Sequence, residues 1–297
     1  MPTAAATDGT KLYYEEVGAG TPIVFVHEFA DDLRGWAPQV KFFARRYRTL
    51  AFNARGYPPS DVPADPARYS QAQAAEDIGA VLDHLRIDTA HVVGLSMGGY
   101  ATLHFGLMFP ERALSLTVGG VGYGSGTERA TFHKDTDYLV GQFDKGMTAV
   151  AEFYSRGPTR VQFMAKDPVG WREFHDRLAA GSALGHANTL RGVQRQRPSV
   201  FELEAKLERL EVPTLIMTGD EDEPCLEPAI FMKRKIRTAG LVVLPKSGHA
   251  INLEEPDLFN RAVLDFLAAV DAGRWPSRDP ASQTGSATLP ADRTAGR

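Results

Sequence analysis

A single serine, Ser96, stands in "GLSMG", Gly94 to Gly98, where the apolar run Ala90 to Leu95 meets a stretch of helical period beginning at Met97. A free hydroxyl is a weak nucleophile. To attack an acyl carbon it needs a base to take its proton and N–H donors to hold the oxyanion that forms. A strand-to-helix turn supplies one donor by itself, the amide of Met97 at the amino end of the helix. Glycines two residues to either side let the chain turn sharply and let strand and helix approach closely. The competing reading is an ordinary turn in which Ser96 caps the helix.

The base and an acid to orient it must come from other parts of the chain. Among the eight histidines, His249 in "PKSGHAINLEEP" follows the last apolar run and precedes the last helical pattern. That places it at the carboxyl edge of a sheet, where reacting groups gather. The run "GDEDEP", Gly219 to Pro224, follows the preceding apolar run and offers the acid. Spacing favours Asp222, with Asp220 as the second choice and the rest read as solvated loop charges. The resulting order, Ser96, Asp222, His249, is one of the known triad orders. Cys225 reads as a small buried hydrophobe.

Elements of a recognisable kind must carry these residues to one place. Six short apolar or β-branched runs, Pro22 to His27, Tyr47 to Asn53, Ala90 to Leu95, Leu114 to Val121, Pro213 to Gly219 and Gly240 to Pro245, read as strands buried on both faces. Helical patterns lie between them, including Gln71 to Arg86, Met97 to Pro110, Leu226 to Ala239 and Pro256 to Val270. Alternation of this sort predicts an α/β fold with a mostly parallel, doubly wound sheet. "KLYYEEVG" after "TDGT" predicts an antiparallel hairpin at the amino end. Strand patterns lapse between about 123 and 195, which predicts a helical cap inserted into a core formed by 1–122 and 196–271. Residues 272–297 are rich in Gly, Pro, Ser and Thr and are expected to form a disordered tail.

Composition narrows the chemistry. A formal net charge of −4 with no long block of like charge argues against a nucleic-acid partner. No apolar run approaches the length of a membrane span and the opening residues lack a secretory pattern, so the expected location is the cytoplasm. One cysteine excludes an internal disulfide framework, and no histidine pair sits at ligand spacing with an acid. No metal and no cofactor are expected. A homodimer is compatible with this composition.

"IVFVHEF", "NARGYPPSD", "GLSMGGY", "MTGDEDEP" and "SGHAINLEEP", spread over about Lys11 to Val270, together resemble the α/β-hydrolase superfamily, in its branch of esterases, lactonases and carbon–carbon bond hydrolases with a helical cap. The resemblance implies the α/β-hydrolase fold and hydrolysis of a carboxylic ester or lactone through an acyl-enzyme, with no cofactor. It is equally compatible with hydrolysis of a carbon–carbon bond in a vinylogous diketone, or with a ligand-binding receptor on the same fold. Its aspartate-nucleophile branches are disfavoured by a serine at 96.

In that family the first core strand usually runs into His-Gly, and the next amide completes the oxyanion hole. Transfer by position makes Phe29 the second donor beside Met97 and puts Glu28 where the glycine is expected. A carboxylate about 4 Å from the oxyanion would oppose it by roughly 4 kcal/mol at an effective dielectric near 20. Glu28 is therefore expected to reach the active site as a modulator, as a glutamate of the dienelactone hydrolases does, or to turn to solvent or to a nearby arginine such as Arg34. The resemblance implies that His27 braces loops and that Arg55 pairs locally. In the inserted segment Phe132, His133, Tyr138, Phe143, Phe153, Tyr154, Phe163, Trp171, Phe174, His175 and His186 imply packing around an apolar cavity suited to a small-molecule acyl or lactone substrate.

Overall fold

The computed structural model describes residues 1–126, 129–283 and 288. The strands are β1 (Thr3–Ala5), β2 (Lys11–Val17), β3 (Pro22–Val26), β4 (Arg48–Phe52), β5 (Ala90–Leu95), β6 (Ala113–Gly119), β7 (Thr214–Gly219) and β8 (Ala239–Leu244). They form an eight-stranded sheet in the order β1-β2-β4-β3-β5-β6-β7-β8. β1 and β2 pair antiparallel with each other and β2 with β4, while every pairing from β4 to β8 is parallel. The hairpin and the six core strands expected from the sequence are all present.

Helices α1 (Ala37–Phe43), α2 (Gln71–His84) and α3 (Met97–Met108) follow the first core strands, and α4 (Arg129–Gln142), α5 (Met147–Tyr154), α6 (Val161–Lys166), α7 (Pro168–Ala179) and α8 (Ala183–Thr189) lie between β6 and β7. After the short α9 (Glu204–Leu207) come α10 (Glu223–Lys235) behind β7, then α11 (Ile251–Glu254) and α12 (Pro256–Asp271) behind β8. Local chemistry starts several of them. Ser70 accepts from the Gln73 amide at the head of α2, and Asp167 from the Gly170 amide ahead of Pro168 at the head of α7.

Alternate residues of each strand face opposite layers, the period expected of a sheet covered twice. Val24 and Val92 pack with Ile78 and Val81 of α2 and Leu103 of α3, whereas Ile23, Phe25 and Val93 pack with Trp36, Phe43 of α1 and Phe259 and Val263 of α12. A third apolar cluster joins Phe29 and Met97 to Phe143, Val150, Phe163, Trp171, Phe174 and Leu178 of the helical segment. Most of the segment's aromatics are thus packing, while Tyr138 and Phe153 are exposed and pair ring to ring.

The expectation of disorder from residue 272 is corrected for 272–283. Trp275 donates its indole N–H to the Thr238 carbonyl at 2.7 Å and stacks edge-on to Phe266, lying over Gly240 on the outer strand. Arg278 donates to the carbonyls of Lys233 and Arg234 at the end of α10. Composition hid this because one aromatic and one arginine suffice to dock the segment. Residues 284–287 and 289–297, which the same expectation covered, lie outside those described. Among the described residues no helix is long and apolar enough to cross a membrane.

Candidate active site

Ser96 sits between β5 and α3 with φ 56° and ψ −114°, a left-handed setting that costs a non-glycine residue on the order of 1–3 kcal/mol. The surroundings enforce it. Its amide donates to the Gly119 carbonyl of the adjacent β6 at 2.8 Å, and its carbonyl accepts from the Tyr100 amide at 2.9 Å. A Cβ on Gly98 would collide with the Val26 carbonyl of β3, and one on Gly94 would collide with the Gly98 carbonyl. Ser96 occupies the N-cap position of α3 yet makes no side-chain capping bond. The capping-serine reading therefore fails, and Oγ is left uncommitted at the start of the helix.

Asp222 repeats the pattern after β7. It stands at the N-cap position of α10 without capping it, and its Oδ2 instead accepts from His249 Nδ1 at 2.6 Å. Asp222 is almost wholly buried, which pushes its carboxyl up, but the charge and hydrogen bond of His249 outweigh burial and hold it below the usual range. Donation from Nδ1 leaves Nε2 of the neutral imidazole as the acceptor, the tautomer a base needs. Asp220, the alternative acid, is exposed and accepts from the Ser247 amide. Of the two, the fold brings Asp222 to the histidine.

The loop carrying His249 is fixed from several sides. Glu254 accepts from the amides of Gly248 and Ala250 at 2.8 and 3.1 Å, and the His249 amide donates to the Thr159 carbonyl at 2.9 Å. The imidazole lies against Gly120, where a Cβ would stand 3.2 Å from its Cε1 and 3.3 Å from Leu95 Cδ1. That contact sets the ring on the residues bordering Ser96. Side-chain donor atoms of Asp222, Cys225 and His249 all lie within 4.8 Å of one another. The Asp222–His249 hydrogen bond uses two of them, and burial beside Asp222 pushes the Cys225 thiol well up, away from a metal-binding thiolate.

His27 braces two loops. Its Nδ1 donates to the Glu28 carbonyl at 2.7 Å and its Nε2 accepts from the Ala54 amide at 3.0 Å, so both nitrogens are committed. The Phe29 carbonyl accepts from Tyr57 Oη at 2.9 Å, which fixes the turn bearing the Phe29 amide. The Phe29 ring packs against Tyr154 and His186 of the helical segment, with centroids 5.8 and 5.2 Å away. Burial pushes His186 down to about 4, so it faces this turn as a neutral ring.

Glu28 turns neither to solvent nor to Arg34. Arg34 chelates Asp32 instead, and Glu28 forms a fully buried bidentate pair with Arg160, Nη1 to Oε1 at 2.8 Å and Nη2 to Oε2. Burial alone would raise the Glu28 carboxyl; the Arg160 guanidinium, aided by His249 and His27, brings it below the usual range. Nothing in the local pattern names a partner 132 residues away. Arg55 departs from expectation in the same manner. It is buried between Asp77 of α2 and Asp8 of the amino-terminal turn, so its partners are distant in sequence.

A cavity of about 650 Å³ opens between the start of α4 and α10, lined by Tyr123, Phe132, Glu223, Pro224, Phe231 and Arg234 among others. Ser96, Phe29 and His249 are not in its wall. Around Phe29 and Met97 the aromatics of the helical segment, Phe143, Phe163, Trp171 and Phe174, form an apolar cluster, while Ser96 itself stays half-buried.

A sequence model of the "Alpha/beta hydrolase family" matches residues 23–262. The chain is 24% identical over 272 residues to a putative 2-succinyl-6-hydroxy-2,4-cyclohexadiene-1-carboxylate synthase of Bacillus subtilis, covering 89% of this chain and 97% of that protein. It is 28% identical over 242 residues to 3-oxoadipate enol-lactonase 2 of Acinetobacter baylyi, covering 81% and 86%. The crystal structure of the enol-lactonase from Burkholderia xenovorans superposes with a TM-score of 0.79 at 25% identity, covering 90% of this chain and all of that one.

Proposed function

The chain belongs to the alpha/beta hydrolase family, and from that premise we propose that it is a serine hydrolase of carboxylic esters or lactones, with Ser96 as nucleophile, His249 as base and Asp222 as the acid that orients it. One observation carries the reading. Two side chains that could cap helices, Ser96 and Asp222, do not, and Asp222 instead makes a 2.6 Å bond to His249. In this mechanism Nε2 of His249 takes the hydroxyl proton as Oγ attacks the acyl carbon. The tetrahedral oxyanion is held by the amides of Met97 and Phe29, and the imidazolium gives its proton to the leaving oxygen. Water, deprotonated by the same imidazole, then releases the acid from the acyl-enzyme. The segment 123–195 serves as a cap that excludes bulk water, and its apolar lining favours an acyl or lactone substrate of small or medium size. Likeness to enol-lactonases supports the ester and lactone class.

The test is a panel of p-nitrophenyl esters of increasing chain length beside simple lactones, with Ser96→Ala as the blank. Turnover is expected to fall by a factor on the order of 10⁴ or more in that variant. Turnover that survives the substitution rejects Ser96 as the nucleophile.

A further inference from the structure

The connection between α5 and α6 touches the core at two points that matter to the site. Arg160 grips Glu28, one residue before the turn amide of Phe29, and the adjoining Thr159 carbonyl takes the His249 amide at 2.9 Å. The pair is enclosed: both side chains are almost wholly buried, and the guanidinium lies over the rings of Tyr154 and Phe174 at 5.6 and 5.1 Å. A charge pair so fully removed from water is weak evidence for stability, because desolvation consumes much of the attraction. Position makes it informative. A free carboxylate one residue from an oxyanion donor would face the charge that forms on the substrate, a penalty on the order of a thousandfold in rate if it lay about 4 Å away.

Resting on the hydrolase reading above, we propose that Arg160 is a positioning residue for acyl transfer: it holds the Glu28 carboxylate off the oxyanion, and with Thr159 it fixes the two loops that carry the Phe29 amide and His249. The cap segment then assembles the site, and does more than roof it. This assigns Glu28 a passive part. Its charge anchors the Arg160 guanidinium beside the two loops, and the reaction needs that charge kept away from the oxyanion.

The experiment compares kcat and KM across pH 5–9 for the full chain and for Arg160→Met, Glu28→Gln and the double variant. Arg160→Met leaves a buried carboxylate without its partner. Its kcat is expected to fall by about a hundredfold at pH 8, with KM for a short ester moving less than threefold. With the guanidinium gone, burial raises the Glu28 carboxyl, so the variant is harmed as that group ionises. Its kcat/KM should gain a limb that falls with rising pH, opposite to the rise from His249 deprotonation. The double variant has no carboxylate to misplace; it should regain at least tenfold and lose the falling limb. The other groups acting on this carboxyl are His249, His27, Asp31, Tyr57 and Tyr154. They remain in every variant, and Glu28→Gln, which keeps Arg160 but has no carboxylate to ionise, shows how far their own titrations move the profile.

Equal rates in wild type and Arg160→Met overturn the proposal, as do equally slow single and double variants with profiles of wild-type shape. Should Arg160→Met not fold, Arg160→Lys and Glu28→Gln decide. Arg160→Lys keeps the charge without the fork and should lose about five- to twentyfold in kcat at unchanged KM. Glu28→Gln should stay within about tenfold of wild type, and a larger loss overturns the proposal by showing that the carboxylate itself is used. If wild type turns over no ester, or turnover survives Ser96→Ala, the hydrolase reading fails separately. The pair is then read by a double-mutant cycle in urea, where additive effects of the two substitutions overturn it.

Discussion

The turn at residues 94–98 and the seam between the cap and the loop after β3 hold parts of one site, but by different forces. At the turn the constraint is steric and made of backbone: the carbonyls of Val26 and Gly98 leave no room for a Cβ on Gly98 or Gly94, and the Ser96 amide is tied to Gly119. Along the seam the constraint is charge. Arg160 meets Glu28 and Arg177 meets Asp31, pairs separated by 132 and 146 residues. Hard backbone contacts cannot be relaxed without moving a strand, whereas a buried ion pair hangs on two side chains and is lost outright when either is replaced, leaving the other charge unpaired. Ser96 is therefore held by backbone packing, and the loops around it depend on individual side-chain pairs.

The contrast is broken most severely at Gly98. A methyl group there meets the Val26 and His27 carbonyls, both backbone, so β3 or α3 must shift. Gly98→Ala should cost about 3 kcal/mol or more of stability, at the upper end for overpacked sites. Because a displacement near 1 Å of a reacting group loses roughly a hundredfold in rate, kcat for a short ester should fall at least that far. Urea denaturation and ester kinetics read both. A variant with wild-type stability and activity would show that the turn yields as easily as the seam, and the distinction would disappear.

The same contrast explains what the sequence discloses. The turn is legible because its parts lie within five residues and their spacing is the constraint. Asp222 and His249 are legible because each follows a buried strand, so topology delivers them to one sheet edge; spacing ranks Asp222 ahead of Asp220, and the hydrogen bond to His249 is made by Asp222. Nothing local marks Arg160 as the partner of Glu28. It is one arginine in a helical segment whose packing is decided by Phe163, Trp171 and Phe174, and the nearer Arg34 is taken by Asp32. Trp275 escaped for the same reason: a lone aromatic in a polar stretch docks only because Gly240 leaves a bare patch on β8. Backbone demands are written in spacing, and side-chain pairings across the fold are not.

Asp31 sharpens the comparison from the charged side. Its carboxyl accepts from Arg177 at 2.6 and 2.9 Å, yet burial outweighs that partner and pushes it up to about 6 from an ordinary 3.8. The folded protein thus binds a proton between those values that the unfolded chain has released. Stability from this group is fully present below 3.8 and is lost as pH rises through about 6. Two pH units of difference correspond to about 3 kcal/mol at most. Asp31→Asn cannot ionise, so its stability deficit relative to wild type should shrink by up to about that amount between pH 4 and pH 7. Urea melts at several pH values measure it; a deficit independent of pH would show that the seam carries no desolvated acid.

Arg34 gives the smallest effect and the most direct control. It has the sequence position to pair with Glu28, six residues away, but its side chain is 59% exposed and chelates Asp32, whose own side chain is 13% exposed. Exposed pairs contribute roughly 0.2–1 kcal/mol because water screens them and two mobile side chains must be ordered. Arg34→Ala should therefore lower stability by no more than about 1 kcal/mol and leave ester turnover and its pH profile unchanged. Parallel kinetics on Arg34→Ala and Arg160→Met separate proximity in sequence from burial in the fold. If the Arg34 variant loses activity as the Arg160 variant is expected to, a general loss of positive charge near the β3 loop accounts for both, and the enclosed geometry of the seam is not what positions Glu28.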